Sequence, residues 1–367
     1  MTKILYVTNI AQTMSFFKYI IKDLINSGYQ VDYACNDSDI HEELFFKNLG
    51  CRKYLISCTR NPLNLENLKA INELRRIVKD GNYDIVHCHT PIVSAVARFA
   101  LRNFRKKGLK VFYTGHGLHF YNGAPLKNWL VYYPIEKICS KWTDLIITMN
   151  QEDYRRAKQK FSARKIVYIP GVGINLEDFE HHKLTDREIK INRAELTSRN
   201  VIFLSVGRLA KQKNHVSALR CLASLTDLDW AYVIAGEGPE RNKIEQAAVK
   251  LGVEDRLVLL GRRQDVIELL QCADIFLFPS LYEGLPVALM EAMASGVPIL
   301  CSSIRGSRDL VDERCLIDFS DPASVCSKIK DIQRNGFDDC IKMNLEIIQD
   351  YTYEKVDKQL MSLYSSL

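Results

Sequence analysis

Two glutamates in the C-terminal half of the chain could do chemistry, because they stand in an otherwise apolar stretch. Glu283 and Glu291 belong to the string EGLPVALMEAMASGVP, which runs from residue 283 to residue 298. Burying an unpaired charge is costly, so both carboxylates should face groups that donate hydrogen bonds, and sugar hydroxyls are such groups. The two glutamates could equally be a helix cap and an exposed residue on a helix face.

The elements around the glutamates predict a ligand pocket. Residues 274–279 form a short apolar run that stops at a proline, which is typical of a buried strand. A helix should begin at about Pro286 and end near Gly296, since proline suits a first helical position and glycine a helix end. The positive end of this helix lies between the carboxylates. The arrangement predicts a pocket for a hydroxyl-rich, anionic ligand.

A second polar string, VGRLAKQKN, follows the strand predicted over residues 201–206. Arg208 and Lys213 leave the end of that strand, which is where ligands collect in open α/β sheets. Arginine offers a planar fork of donors and lysine a compact charge, and both suit phosphate oxygens. Two cations here could stabilise the charge on a departing diphosphate. Seen alone, the pair could also be a solvated basic loop.

Together the two strings resemble the E-x7-E and G-R-x4-K signatures of retaining GT-B glycosyltransferases of the "group 1" family, which includes bacterial exopolysaccharide, capsule and O-antigen enzymes. The resemblance implies that Glu283 contacts the donor sugar and Glu291 the nucleotide ribose. It implies that Arg208 and Lys213 bind the donor diphosphate. By the same resemblance, further nucleotide-binding positions are Gly207, Gly284, Leu285 and Pro286.

Histidines follow two strands of the N-terminal half. His116 lies between two glycines in YTGHGLHFYNG, and this string resembles the H-G string that supplies an active-site histidine in the family. The resemblance implies that His116 contacts the reacting end of the donor sugar. His119 is the alternative for that role. His87 and His89, in IVHCHTP, are interpreted as structural or acceptor-lining residues.

Other strings give weaker signals for cofactors and metals. AGEGPE, at residues 235–240, lacks the third glycine of a dinucleotide fingerprint and is interpreted as a wall of the nucleotide pocket. Two D-x-D strings occur, at residues 37–39 and 227–229. We interpret the first as a helix cap and the second as a helix end. The sequence therefore predicts no metal and no cofactor, with a nucleotide sugar as co-substrate.

The order of predicted elements indicates the fold. Strands alternate with helices up to residue 170, and the alternation restarts at residue 201, which predicts two doubly wound α/β domains. The resemblance implies a GT-B fold, with two Rossmann-like domains facing a cleft and a C-terminal helix that crosses back to the first domain. The predicted parts are an N-terminal acceptor-binding domain (1–178), a linker (179–200), a C-terminal nucleotide-sugar-binding domain (201–345) and the crossover helix (346–367).

Composition limits the class of protein. The chain has 367 residues, of which 47% are hydrophobic, and this size suits two globular domains. Lysine plus arginine (50) only slightly exceed aspartate plus glutamate (44), so we expect no nucleic-acid partner. The 11 cysteines show no C-x-x-C pair, which favours reduced thiols. With no signal-type segment or long apolar run, we expect a cytoplasmic protein, peripheral on the inner face of the membrane.

A basic stretch in the N-terminal half suggests a membrane partner. Basic residues recur there with helical spacing and then as a tail: Arg98, Arg102, Arg105, Lys106, Lys107 and Lys110. Such a stripe is either a solvated face or a docking surface for anionic lipid, and the aromatic stretches SFFKYII and NWLVYYPI could add shallow insertion. We hypothesise that this domain sits on the inner membrane face and takes a polyprenyl-diphosphate-linked glycan as acceptor.

The sequence thus predicts a metal-independent, retaining glycosyltransferase. We expect it to move a hexose or N-acetylhexosamine from a nucleotide-diphosphate sugar, with UDP as the expected nucleotide, to a lipid-linked glycan in bacterial surface polysaccharide synthesis. The string IRGSRDL, at residues 304–310, resembles exopolysaccharide and capsule members. Two alternatives are a nucleotide-sugar epimerase of the same architecture, which needs no acceptor, and a catalytically silent, membrane-associated scaffold, which needs no charged pocket.

Overall fold

The computed structural model describes residues 1–37, 39–59, 61 and 64–366. The chain divides into two compact units. The first unit comprises Met1–Gly173 together with the C-terminal segment that begins at Glu354, and the second unit is Ile174–Tyr353.

The first unit is built on a seven-stranded sheet, and its neighbouring strands are parallel. The strand order is β3-β2-β1-β4-β5-β6-β7. Alternate residues of β1 enter different apolar clusters, with Leu5 and Val7 in one and Ile4 and Tyr6 in the other. Both faces of the sheet are therefore buried, as is usual for parallel sheets. The strands are β1 Lys3–Val7, β2 Gln30–Cys35, β3 Lys53–Leu55, β4 Ile85–His89, β5 Lys110–Gly115, β6 Leu145–Thr148 and β7 Lys165–Tyr168.

Helices cover this sheet, and a 3-10 segment, Ala11–Phe17, precedes the first of them. Another 3-10 turn, Phe104–Lys107, follows the fourth helix. The helices are α1 Lys18–Asn26, α2 Ile40–Asn48, α3 Glu66–Gly81, α4 Pro91–Leu101, α5 Leu126–Ser140 and α6 Gln151–Lys160.

The second unit has a six-stranded parallel sheet in the order β10-β9-β8-β11-β12-β13. The strand order changes direction between β8 and β11, and such a switch point is where open α/β sheets bind ligands. The strands are β8 Val201–Val206, β9 Trp230–Ala235, β10 Leu257–Gly261, β11 Ile275–Phe278, β12 Ile299–Ser302 and β13 Leu316–Ile317.

The helices of the second unit include four short 3-10 turns, Lys211–Lys213, Glu254–Arg256, Glu313–Cys315 and Gln349–Tyr351. The α-helices are α7 Glu177–His181, α8 Asp186–Leu196, α9 His215–Ala223, α10 Arg241–Leu251, α11 Val266–Gln271, α12 Val287–Ala294, α13 Arg305–Arg308, α14 Pro322–Asn335 and α15 Asp338–Ile348.

The predicted linker over residues 179–200 is wrong. These residues belong to the second unit and contain most of α7 and all of α8. Phe179 and Leu196 pack against the core of that unit, and Arg193 pairs with Asp274 at 2.8 Å. The segment looked like a linker because its charges face solvent, although its few apolar residues attach it to the sheet. The unit boundary therefore lies at residue 173, before the segment and not within it.

The last helix, α16 (Tyr353–Ser365), lies in the first unit from Glu354 onward. Its residues Val356, Leu363 and Tyr364 are buried in the same cluster as Tyr6. The predicted start of this crossover segment at residue 346 was too early, because α15 continues to Ile348 and remains in the second unit.

Candidate functional site

A loop at the end of β8 carries the predicted phosphate-binding residues. Gly207 has φ +143°, and its N–H donates to the carbonyl of Ala235 at 3.0 Å. A Cβ on Gly236 would lie 1.9 Å from the carbonyl oxygen of Gly207. Only glycine fits at position 236, because the Gly207 carbonyl that a side chain would meet is rigid backbone. The AGEGPE string therefore supports the loop through close backbone contact.

Lys213 and Glu283 meet at this edge of the sheet. Lys213 Nζ lies 2.8 Å from Glu283 Oε1, and the two side chains are only 18% and 14% exposed. The same ammonium lies 4.9 Å from the ring centroid of Phe278, the last residue of β11. Since β8 and β11 are parallel neighbours, the loops that follow them emerge side by side. The strand order thus brings together two charges that are seventy residues apart in the chain.

Three residues that the sequence analysis did not single out hold this ion pair in place. The backbone N–H of Leu281 donates to the carbonyl of Gln212 at 2.8 Å, and the Gln212 amide donates to the carbonyl of Tyr282 at 2.7 Å. Arg305 Nε donates to the carbonyl of Glu283 at 2.9 Å. The position of Gln212 between two lysines of the G-R-x4-K string was the signal available in the sequence.

Arg208 makes the site cationic. Its side chain is exposed, and within the described part of the chain it forms no ion pair. Lys213 and Arg208 together outweigh the single negative charge of Glu283. A site with this surplus suits an anion whose oxygens can accept several hydrogen bonds, such as a diphosphate.

The remaining predicted residues of this half surround the start of α12. Pro286 is the N-cap residue of that helix, which therefore begins at Val287, one residue later than predicted. Gly284 lies against Gly306, whose Cβ, if present, would be 2.9 Å from the Gly284 carbonyl oxygen. Leu285 packs on the core of the second unit. This packing fixes the loop between Glu283 and the helix.

Glu291 projects from α12 and is partly buried. Desolvation raises the pKa of its carboxyl above the usual value. It has no ion-pair partner among the residues that the structure describes. A carboxylate in this state favours neutral hydroxyl donors such as those of a ribose.

His116 lies in the first unit, in the loop after β5. Its Nε2 is 3.1 Å from Nδ1 of His89, the last residue of β4. Burial lowers the pKa of His116 to about 4, so its imidazole is neutral at physiological pH. By contrast, the side chain of His119 is exposed and its ring packs on Tyr132 at 4.5 Å. His116 is the less exposed of the two histidines, and this distinguishes it from the alternative.

The D-x-D strings have structural partners. Asp37 accepts a hydrogen bond from the N–H of Ala11, and Ser38 lies outside the described residues. Asp227 pairs with Lys330 at 2.8 Å and Asp229 with Arg199 at 2.9 Å. Within residues 1–37, 39–59, 61 and 64–366, the structure has no group of three or more His, Cys, Asp or Glu side chains that could hold a metal ion.

The predicted basic stripe is wrong in two of its members. Arg98 is fully buried and pairs with Glu136 at 2.8 Å. Arg105 pairs with Asp144 at 2.7 Å. Helical spacing placed these arginines on one face, but that face packs against α5 and the turn after it. Neither guanidinium is available to a lipid surface.

Comparison with known proteins decides the family. The family model described as "Glycosyl transferases group 1" matches residues 186–348, and the model "Glycosyltransferase Family 4" matches residues 15–177. The chain is 35% identical over 287 residues to the protein named "Putative glycosyltransferase EpsD" of Bacillus subtilis (strain 168), an alignment that covers 76% of this chain and 75% of that protein. The chain belongs to the glycosyl transferases group 1 family.

Two further proteins are similar to this group 1 glycosyltransferase, one in sequence and one in structure. It is 29% identical over 297 residues to the UDP-Gal:alpha-D-GlcNAc-diphosphoundecaprenol alpha-1,3-galactosyltransferase of Escherichia coli, covering 78% of this chain and 75% of the relative. The crystal structure of Anabaena Alr3699/HepE, in complex with UDP and glucose, superposes with a TM-score of 0.82 and 17% identity over 100% of both chains. The superposition shows that the two parallel-sheet units form a GT-B fold.

The predicted fold and family of the group 1 glycosyltransferase are therefore confirmed, whereas the residue roles remain predictions. None of the helices described in the structure is both long and apolar enough to span a bilayer.

Proposed function

We propose that this group 1 glycosyltransferase moves a hexose or N-acetylhexosamine from a UDP-sugar to a hydroxyl of a polyprenyl-diphosphate-linked glycan, with retention of the anomeric configuration and without a metal ion. The observation that carries the proposal is the Lys213–Glu283 ion pair at the strand switch point, with the exposed Arg208 in the same loop after β8. The pair offers a cation for an anionic group and a carboxylate for sugar hydroxyls in one place.

Each charged residue has a distinct role in the proposed reaction. The bond from C1 of the sugar to the diphosphate oxygen breaks, and a new bond forms from C1 to the acceptor oxygen on the same face. Arg208 and Lys213 stabilise the charge that builds on the departing diphosphate, which takes up the acceptor proton. An ammonium has three N–H donors, so Lys213 can keep its contact with Glu283 and still reach a phosphate oxygen.

The carboxylates bind the two sugar rings of the donor. Glu283 keeps a second oxygen free of the 2.8 Å contact to Lys213, and this oxygen can accept from donor-sugar hydroxyls. Glu291, with its desolvated carboxyl, accepts from the ribose. His116 contacts the reacting end of the sugar as a neutral imidazole.

The names of related proteins support the choice of donor and acceptor. The Escherichia coli relative is named for transfer from UDP-Gal to a sugar on diphosphoundecaprenol, and the structural neighbour was crystallised with UDP and glucose. By analogy, the proposed acceptor is a lipid-linked glycan of a bacterial surface polysaccharide.

An apolar groove in the first unit supports a location on the inner face of the membrane. The groove has a volume of about 520 Å³ and is lined by α3, α4 and α5. Leu65, Leu68 and Ile138 on its walls are 77%, 60% and 51% exposed. Arg102 lies at the edge of this groove, 4.0 Å from the Phe99 ring centroid. The groove takes the place of the arginine stripe as the proposed docking surface for anionic lipid.

Lipid binding is expected to depend on these apolar side chains. In the double variant Leu68→Glu/Ile138→Glu, co-sedimentation with anionic vesicles should fall at least about tenfold, because two carboxylates replace apolar area that would be buried and repel the surface. Val249→Glu is the control, since Val249 is 63% exposed in the second unit. Equal vesicle binding by the double variant and the wild type would exclude the groove as the docking surface.

The reaction itself is tested with a panel of UDP-sugars and a short polyprenyl-diphosphate-linked acceptor. We expect one donor to give a glycosylated product whose new linkage has the anomeric configuration of the donor, by NMR, with undiminished yield in EDTA. Conversion of the donor without acceptor would favour an epimerase instead. Failure of every donor to bind, measured by calorimetry, would favour a scaffold.

A further inference from the structure

His89 and His116 form a histidine pair in the first unit. His89 is 2% exposed and closes β4. Its ring stacks on Tyr6 at a centroid distance of 5.3 Å and an interplanar angle of 14°, and it lies 4.2 Å from both Phe17 and His87. Aromatic rings therefore fix the orientation of the His89 imidazole, and only its edge is left for polar contacts.

The two nitrogens of His89 have different surroundings. Nδ1 is 3.1 Å from Nε2 of His116, within hydrogen-bond distance. Nε2 is buried and has no hydrogen-bond partner among the residues that the structure describes. His87, two residues earlier, differs from His89 because both of its ring nitrogens have partners, the hydroxyls of Tyr364 and Thr114.

The number of N–H groups on the two imidazoles determines which histidine donates. Burial lowers the pKa of both imidazoles, so each carries a single N–H at neutral pH. If His116 donated, the proton of His89 would sit on Nε2, which would bury an N–H without an acceptor. If His89 donates from Nδ1, its Nε2 is a bare nitrogen. Orphaned buried N–H groups are rarer than under-satisfied acceptors, so the second arrangement is favoured.

We propose that His89 is a positioning residue, which donates its Nδ1–H to Nε2 of His116 and thereby holds His116 as the Nδ1–H tautomer. The inference rests on the proposed function, because it assigns what His116 offers to the donor sugar. Nδ1 of His116 has no hydrogen-bond partner in the described part of the chain and is not among the buried unpartnered atoms. It is therefore accessible to a ligand.

The tautomer determines the chemistry that His116 can perform. With its proton on Nδ1, the imidazole presents an N–H donor to an oxygen of the sugar or of the leaving group. It cannot accept a proton from the acceptor hydroxyl at that nitrogen. His116 then orients the sugar and stabilises negative charge, and the departing diphosphate remains the group that removes the acceptor proton.

Long-range ¹H–¹⁵N NMR of the full-length protein labelled with ¹⁵N-histidine tests the proposal directly, because the spectrum distinguishes the two tautomers. The chain has 8 histidines, and the signals that disappear in His116→Gln identify this residue. In the wild type we expect His116 to be protonated on Nδ1. In His89→Phe, which keeps an aromatic ring but removes the donor, the signal should move toward the Nε2–H form that free histidine favours.

Controls separate tautomer control from general packing. Tyr364→Phe removes the hydroxyl that contacts His87 and should leave the tautomer of His116 unchanged. His89→Asn retains an N–H near the position of Nδ1 and should restore part of the Nδ1–H population. In transfer assays, His89→Phe should lower kcat about tenfold, with a smaller change in KM for the donor. A tenfold loss is the lower end of the effect seen when a metal-ligating histidine loses the partner that orients it.

The outcomes are distinguishable from failure of the proposed function. A wild-type His116 protonated on Nε2 overturns the proposal without any variant, even if His89→Phe does not fold. An unchanged tautomer in a folded His89→Phe overturns it as well. Full transfer activity in His116→Gln would instead contradict the catalytic role proposed for His116, while the tautomer result would stand.

Discussion

Replacing Lys213 by alanine is expected to lower kcat by at least about 100-fold, because it removes one of two cations that face the departing diphosphate. The change also leaves Glu283, which is only 14% exposed, without its ion-pair partner at 2.8 Å. An unpaired carboxylate would then repel the diphosphate. Initial rates at saturating donor measure the effect, and circular dichroism and thermal melting check that the variant is folded.

Lys211→Ala is the matched control for this experiment. Lys211 lies in the same 3-10 turn as Lys213 but is exposed and forms no ion pair among the described residues. Its removal should change kcat by less than about threefold, since an exposed charge is largely screened. Equal losses in the two variants would indicate a general effect of loop charge, and wild-type turnover in Lys213→Ala would contradict the proposed site.

Replacing Glu136 by glutamine is expected to reduce the free energy of unfolding of the first unit by about 3–5 kcal/mol, because it leaves the Arg98 charge buried without a partner. Arg98 is fully buried, with its guanidinium 4.1 Å from the Tyr113 ring centroid. Burial disfavours the charged guanidinium, but attraction to Glu136 outweighs this and raises the pKa of Arg98. Urea unfolding followed by fluorescence measures the loss.

Two variants control for the change of charge and for the volume of the pair. Glu245→Gln removes a carboxylate from the exposed Arg241–Glu245 pair, whose side chains are 46% and 45% exposed, and should cost at most about 0.5 kcal/mol. The double variant Arg98→Met/Glu136→Leu should regain most of the stability, since apolar residues of similar volume often replace buried ion pairs without loss. A cost below about 1 kcal/mol for Glu136→Gln would show that the buried charge is compensated elsewhere.

The repeated α/β pattern made the fold predictable. Most strands are continuous apolar runs, such as residues 201–206 and 275–278, because both faces of a parallel sheet are buried. The strands β3 (KYL) and β13 (LI) are not predictable in this way, since two or three residues give no usable period. The residues of the candidate site came from motifs, and their meeting at one sheet edge follows from the strand order.

The error in the basic stripe has a physical cause, which is that spacing along a helix does not show which face is covered. Only tertiary packing shows that Glu136 and Asp144 neutralise Arg98 and Arg105. Arg305, which supports the Lys213–Glu283 pair, could not be found from the sequence, because it acts through the backbone carbonyl of Glu283. Such contacts leave no signature in residue types.

The position of α16 has a consequence for biosynthesis. The hydroxyl of Tyr6 is hydrogen-bonded to that of Tyr364, across 358 residues of chain, and both side chains lie in the core of the first unit. At bacterial-type elongation of roughly 5–20 residues per second, Tyr364 is made about 20–70 s after Tyr6. The whole second unit is translated during this interval, and the first unit, although begun earlier, acquires its complete core only once α16 has been made.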